Sequence, residues 1–236
     1  MDRVPVVPGI ASRFWLHAFG KTWTEYTSDP RTMLELQLAA HKWTLENVLG
    51  DVTGVSASPD LFSFYGESYG LGCELGCDDL TPWIASHPIQ TAADLARLEA
   101  IDAADNRYTD AVRGWIARME PLLEDYQIHY ADGIMQRPIT RLGFGYGSIG
   151  VFTLATDLRG PEIYADLYER PDFARELLRI VTDKVIARYR WLGTLAGGAV
   201  KGMYLVDDSS GALSPGSIRR SFIHAWNAWR RSSAGR

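Results

Sequence analysis

Between residues 28 and 50 the chain repeats apolar side chains at helical spacing. In "SDPRTMLELQLAAHKWTLENVLG", Leu34, Leu38, Leu45 and Val48 share one face, Asp29 is placed to cap, Pro30 suits the first turn and Gly50 supplies the stop. The pattern then changes to a short apolar run, "DVTGVSAS", which reads as a strand. A short helix is expected over Leu61 to Leu71, and "CELGC" reads as a second strand before the polar turn Asp78-Asp79. Thr91 and Asp94 have capping-box spacing ahead of Leu95, Leu98 and Ile101. A further helix is expected from Arg107 to Tyr130, with Ala111, Trp115, Met119, Leu122 and Tyr126 on one face.

"GIMQRPI" reads as a third strand, and "RLGFGYGSIG" as a glycine-rich loop without alternation. "VFTLATDL" and the long segment beginning "PEIYADLYERPDF" are helical, the second broken at Pro171 and ended by Gly197-Gly198. "AVKGMYLV" supplies a fourth strand, and Ser214-Pro215 opens a last helix. Strand and helix thus alternate, which predicts an α/β fold with a parallel sheet, either doubly wound or a (β/α)8 barrel. Neither a long Pro/Ser/Gly linker nor a sequence repeat interrupts residues 1–236, so one domain is expected.

Composition narrows the class of partner. A chain of 236 residues that is 46% hydrophobic can bury a sizeable core, and its net charge of −5 excludes a nucleic-acid or anionic-membrane role founded on a basic surface. A small molecule is the expected partner. Two cysteines make no disulfide framework, the start "MDRVPVVPGI" has no signal layout, and no apolar run approaches the roughly 18 residues of a membrane helix. A reducing cytoplasm is the expected location.

In a parallel architecture the carboxyl ends of strands face the ligand cleft, and Asp207 and Asp208 stand where the fourth strand gives out. They are candidate catalytic acids; the plainer alternative is that one of them caps amides within the turn "DDSSG". "GYGSIG" fits a dinucleotide-binding pattern, but the acid that follows at the right distance, Asp166, lies in a helical rather than a strand pattern, which argues against that site. Cys73 and Cys77 lack the further ligands that structural zinc requires and read as buried apolar residues. His17, His41, His129 and His224 read as packing or surface residues, while His87, beside Pro88, could bind an anion. Arg13, Arg137 and Arg141 are candidates to clamp a carboxylate.

Three stretches together resemble the uroporphyrinogen decarboxylase superfamily: "GSIGVFTLATDLRG", "VDDSSGALSP" and "YGLGCELGCDDLTPWIASHPIQTAADLARL". The resemblance implies a (β/α)8 barrel with its cleft at the strand carboxyl ends. It implies either cofactor-free decarboxylation of a tetrapyrrole or zinc-dependent methyl transfer between a corrinoid and a thiol. By resemblance, Arg13 stands in the family's substrate-binding arginine loop, Ser63 near its catalytic acid, and Asp157 at its substrate-contacting tyrosine. Tyr146 and Gly147, in the loop Gly145 to Gly150, would line the cleft with Asp157. "GKTWTEYTSDPRTM" resembles the methyltransferase branch, which makes methyl transfer the expected chemistry and porphyrinogen decarboxylation the alternative.

The pattern holds about four βα units, roughly half of a complete barrel of about 250 residues. On that count the chain is expected to be an amino-terminal portion of a barrel, inactive alone, with "RRSSAGR" an accidental end. The His-x-Cys pair and distant Cys that hold zinc in the methyltransferase branch are not found, so no metal is expected here; zinc and a corrinoid belong to a full-length relative. A half-barrel that dimerises or binds a corrinoid protein is the non-catalytic reading.

Overall fold

The structure, a computed structural model, describes residues 9–48, 56–130, 133, 135–140, 147–195 and 204–216. In chain order the helices are α1 (Ser12–Ala18), α2 (Trp23–Tyr26), α3 (Pro30–Asn47), α4 (Gly66–Gly70), α5 (Ala92–Ala100), α6 (Arg107–Met119), α7 (Val151–Arg159), α8 (Glu162–Glu169) and α9 (Pro171–Leu195). The strands are β1 (Ser56–Ala57), β2 (Glu74–Cys77), β3 (Pro82–Ser86), β4 (Ile128–His129), β5 (Met135–Gln136), β6 (Ile139–Thr140), β7 (Gly147–Ser148) and β8 (Tyr204–Leu205). Among the described residues they form two-stranded pairs: β1 with β6 and β7 with β8 in parallel, β4 with β5 antiparallel, and β2 with β3. The chain is therefore α/β and rich in helix, with the expected parallel pairing in two of the described pairs and an antiparallel pair beside them.

The helix starts follow the local chemistry of the sequence. Asp29 accepts from the amides of Arg31 (2.9 Å) and Thr32 (3.1 Å), satisfying donors that the first turn of α3 leaves open. Asp94 reaches back to the amides of Gln90 (2.9 Å) and Thr91 (2.6 Å) at the start of α5.

Four expectations are corrected. The helix expected to reach Tyr130 leaves α-geometry at Met119 and tightens into a 3₁₀ turn over Glu120–Asp125, because Pro121 has no amide to continue the ladder. Four strands were expected; β3, β4, β6 and β7 are additional, β7 inside the stretch read as loop. Leu45, assigned to the apolar face of α3, is 40% exposed, and burial on that helix falls on Met33, Leu34 and Ala40 instead. Cys77 is exposed, unlike Cys73.

The chain divides into two compact units. Unit 1 comprises residues 1–63, 76–83 and 110–143, and unit 2 comprises residues 64–75, 84–109 and 144–236. The core of unit 1 gathers Leu16, Trp23, Tyr26, Met33, Leu34, Ala57 and Met119. The core of unit 2 is larger and centres on α7 and α9, with Phe152, Leu154, Leu158, Leu177, Ile180 and Val181 almost fully enclosed. Within it two arginines are buried with acid partners: Arg159 Nε lies 2.7 Å from Asp166, and Arg188 lies 3.4 Å from Glu67. Asp166 thus sits on helix α8 as an ion-pair partner, in keeping with the argument against a dinucleotide site.

Candidate functional site

Unit 2 brings several of the sequence candidates to the two ends of α7. At the amino end, β7 and β8 run parallel with Ser148 opposite Leu205, and the Val206 amide continues the ladder to the Ser148 carbonyl at 3.0 Å. This register places Gly147 opposite Tyr204 on β8, two residues beyond whose end stands Asp207. The Asp207 carboxylate then accepts from the amides of Phe152 (2.9 Å) and Thr153 (3.1 Å) and from the Thr153 hydroxyl (3.0 Å). A carboxylate at a helix amino terminus satisfies open donors and complements the helix dipole. Gly150 precedes the helix at φ +92°, and a Cβ there would stand 2.5 Å from the Asp207 Cβ, so the close approach depends on glycine.

Asp207 thus caps amides, but those of a helix more than fifty residues earlier rather than of its own turn. The turn itself closes through the Gly211 amide to the Asp208 carbonyl (3.1 Å) and the Ser210 hydroxyl to the Asp207 carbonyl (2.7 Å). Asp208 precedes the 3₁₀ turn Ser209–Ala212, and its side chain is exposed.

At the carboxyl end of α7, the main-chain carbonyl of Asp157 accepts from His87 Nδ1 at 2.7 Å and from the Cys73 thiol at 3.3 Å. A carbonyl only accepts, so Nδ1 carries the imidazole proton. These donors satisfy a carbonyl in the last turn of the helix, and the Ile89 amide does the same for Leu158 at 3.0 Å. His87, expected as a ligand for an anion, here spends one nitrogen on holding α7. The Asp157 side chain accepts from the fully buried Ser68 hydroxyl at 2.5 Å. Burial pushes this carboxyl above its ordinary value, opposed by the Ser68 hydrogen bond and the nearby His87 charge. Burial, helped by the Asp157 charge, also pushes the Cys73 thiol up to about 12.

Unit 1 holds a second setting, around Asp60, a residue absent from the sequence candidates. Asp60 follows the parallel strand β1, and its carboxylate accepts from the Ser12 hydroxyl, the Tyr26 hydroxyl (3.4 Å) and the Ser63 amide. Its own amide donates to Met33 Sδ at 3.3 Å. Gln37 braces the group: its Nε2 donates to the Tyr26 hydroxyl (2.7 Å) and the Ser58 carbonyl (2.7 Å), and its Oε1 accepts from the Ser58 amide (2.9 Å). Burial raises the Asp60 carboxyl above its ordinary value against the pull of these donors. Burial and the Asp60 charge raise the Tyr26 phenol.

Two sequence candidates belong to this setting. Ser63 turns the chain beside Asp60 with φ +50°, a left-handed backbone unusual for serine, and Arg13 follows Ser12 on α1 with its side chain exposed. Asp60 could have been found by the reasoning that singled out Asp207, because it is an acid placed just past a strand. Ser58-Pro59 before it reads as a plain turn and hid the signal.

Arg137 is exposed between β5 and β6, and Arg141 and Tyr146 lie outside the described residues. No group of three His, Cys, Asp or Glu side chains able to hold a metal ion occurs among the described residues. No helix among them is long and apolar enough to cross a membrane.

The sequence of residues 1–229 matches the family model described as uroporphyrinogen decarboxylase (URO-D). The structure is similar to that of a methyltransferase from Methanosarcina mazei, with a TM-score of 0.59 and 18% sequence identity over 95% of this chain and 60% of that one. This chain therefore spans less than two thirds of the length of that protein. No protein of curated function matches the sequence.

Proposed function

Because the chain belongs to the uroporphyrinogen decarboxylase family, we propose that its βα units are those of a (β/α)8 barrel and that it serves methyl transfer rather than porphyrinogen decarboxylation. The methyl group passes between a corrinoid, brought as substrate by a partner protein, and a thiol or methylated small molecule. The observation that carries this reading is the neutral setting of Asp60, whose described partners are two hydroxyls and an amide. A polycarboxylate such as a porphyrinogen calls for guanidinium clamps. No guanidinium is among the described partners of Asp60, and Arg159 and Arg188 are committed to Asp166 and Glu67. An uncharged or cationic methylated substrate needs no such clamp. The fold likeness to a protein described as a methyltransferase supports the same reading.

With a methylated corrinoid as donor and a thiol as acceptor, the sulfur lone pair forms the new bond to the methyl carbon while the bond from that carbon to the corrinoid breaks. The corrinoid keeps the bonding pair, and the thiol gives up its proton to a base. Asp60, its carboxyl raised by burial, is a group able to take up that proton. Zinc does not fit the described residues, among which no cluster of donor side chains occurs. No step is therefore assigned to zinc.

The test incubates the chain separately with methylcobalamin plus a thiol and with uroporphyrinogen, following loss of the methyl–cobalt absorbance and release of carbon dioxide. Demethylation that falls with Asp60→Asn supports the proposal. Carbon dioxide release without demethylation overturns it in favour of decarboxylation.

A further inference from the structure

The adjacent acids at the end of β8 face different tasks, and the hydrogen bonds around them separate the two. Both oxygens of Asp207 are occupied by α7: Oδ2 takes the Phe152 amide, and Oδ1 takes the amide and hydroxyl of Thr153. The link is two-way, because the Ser209 amide donates back to the Thr153 hydroxyl oxygen at 3.1 Å. Tyr164 on α8 adds a third tie, donating its hydroxyl to the Ser209 carbonyl at 2.9 Å. Asp208 stands between these tethered residues with its own side chain exposed. A solvated acid needs no such restraint, whereas presenting a charge to a ligand in one direction does.

We propose that Asp207 is a positioning residue: by clasping Thr153 and Phe152 it holds the turn Asp208–Ala212 against the first turn of α7, so that Asp208 meets a ligand group that donates hydrogen bonds, such as an ammonium or hydroxyl. The role of Asp208 in turnover rests on the methyl-transfer reading; the clasp itself does not. Thr153 is the second half of the device, since its hydroxyl both donates to Asp207 and accepts from Ser209. Gly150 is the third, because any Cβ there would collide with Asp207.

The experiment compares Asp207→Asn, Asp207→Ala, Thr153→Val, Thr153→Ser and Asp208→Asn in the intact chain. Hydrogen exchange of the amides in residues 208–212 is read beside kcat and KM for corrinoid demethylation. Loosening of a locally restrained turn should speed exchange by about tenfold or more in Asp207→Ala and Thr153→Val, with Thr153→Ser restoring protection and Asp208→Asn leaving it unchanged. Misplacement of Asp208 should lower kcat on the order of 100-fold in Asp207→Asn and Thr153→Val but not in Thr153→Ser, and the Asp207→Asn/Asp208→Asn pair should cost little more than either change alone. Unaltered exchange in Asp207→Ala, or a loosened turn with kcat intact in an active enzyme, overturns the proposal. Wild-type protein inactive in demethylation whose turn nevertheless loosens in Asp207→Ala supports the clasp and counts against methyl transfer alone.

Discussion

The buried hydroxyl of Ser68 donates a 2.5 Å hydrogen bond to the carboxylate of Asp157, two side chains that come together from α4 and α7. Removing the donor leaves a partly buried carboxylate without its described side-chain partner. Ser68→Ala should destabilise the chain by about 1–3 kcal/mol at neutral pH. It should also move the Asp157 titration further up, because Ser68 is one of the groups that pull it down. Denaturant unfolding and carboxyl-carbon NMR titration measure the two effects.

The raised Asp157 carboxyl gives stability a defined pH dependence. The folded chain keeps a proton there that the unfolded chain releases near the ordinary value of 3.8. Its contribution is therefore present below 3.8 and is lost as pH climbs from there through the raised value. Melting temperatures of wild type and Asp157→Asn should diverge over that interval, the variant changing less with rising pH. Parallel curves would remove Asp157 as the source.

The acid in unit 1 should separate chemistry from folding. Asp60→Asn keeps the shape and an acceptor for Ser12 and Tyr26 but has no carboxylate to take up a proton. Proton transfer of this kind contributes typically about 10²- to 10⁴-fold, so a loss of kcat in that range is expected with the fold retained by circular dichroism. Tyr26→Phe should cost less, its hydrogen bond being the longer one at 3.4 Å.

Glu67 and Arg188 form a buried pair, their side chains 8% and 10% exposed, and Glu67 also accepts from the Ile149 amide at 3.0 Å. Glu67→Ala removes the acid partner of a buried cation and should cost about 3–5 kcal/mol. The double change Glu67→Met with Arg188→Leu should cost less than the single one. A double-mutant cycle by urea unfolding decides, and a larger loss in the double variant would contradict this account.

Gly150→Ala combines an unfavourable left-handed backbone with a collision against Asp207 and should destabilise by about 1–3 kcal/mol. A thermal melt reads the loss, and an unchanged melting temperature would show that the strand end and α7 can part without cost.

What the sequence disclosed was governed by distance along the chain. Asp29 before Pro30 and Asp94 before Leu95 act within one helical turn, so their caps were readable as spelled. The break of the Arg107 helix was equally local, in Pro121, although the apolar period running on to Tyr126 concealed it. β3 escaped because five residues starting in proline carry too little period to outweigh a loop reading. The strand-end logic singled out Asp207 as a candidate catalytic acid, whereas its described partners lie 54 and 55 residues away, a separation no pattern encodes. Asp60 was hidden for the opposite reason, its local Ser-Pro context giving an adequate explanation without chemistry.

The two compact units are each assembled from three separate stretches of chain. A ribosome releasing the chain from its amino end has made the last stretch of unit 1 only by residue 143, after two stretches of unit 2 have already emerged. Neither unit can be completed early, and no single gene truncation isolates one of them. Recombination that trades contiguous coding segments across this interleaving would divide both units.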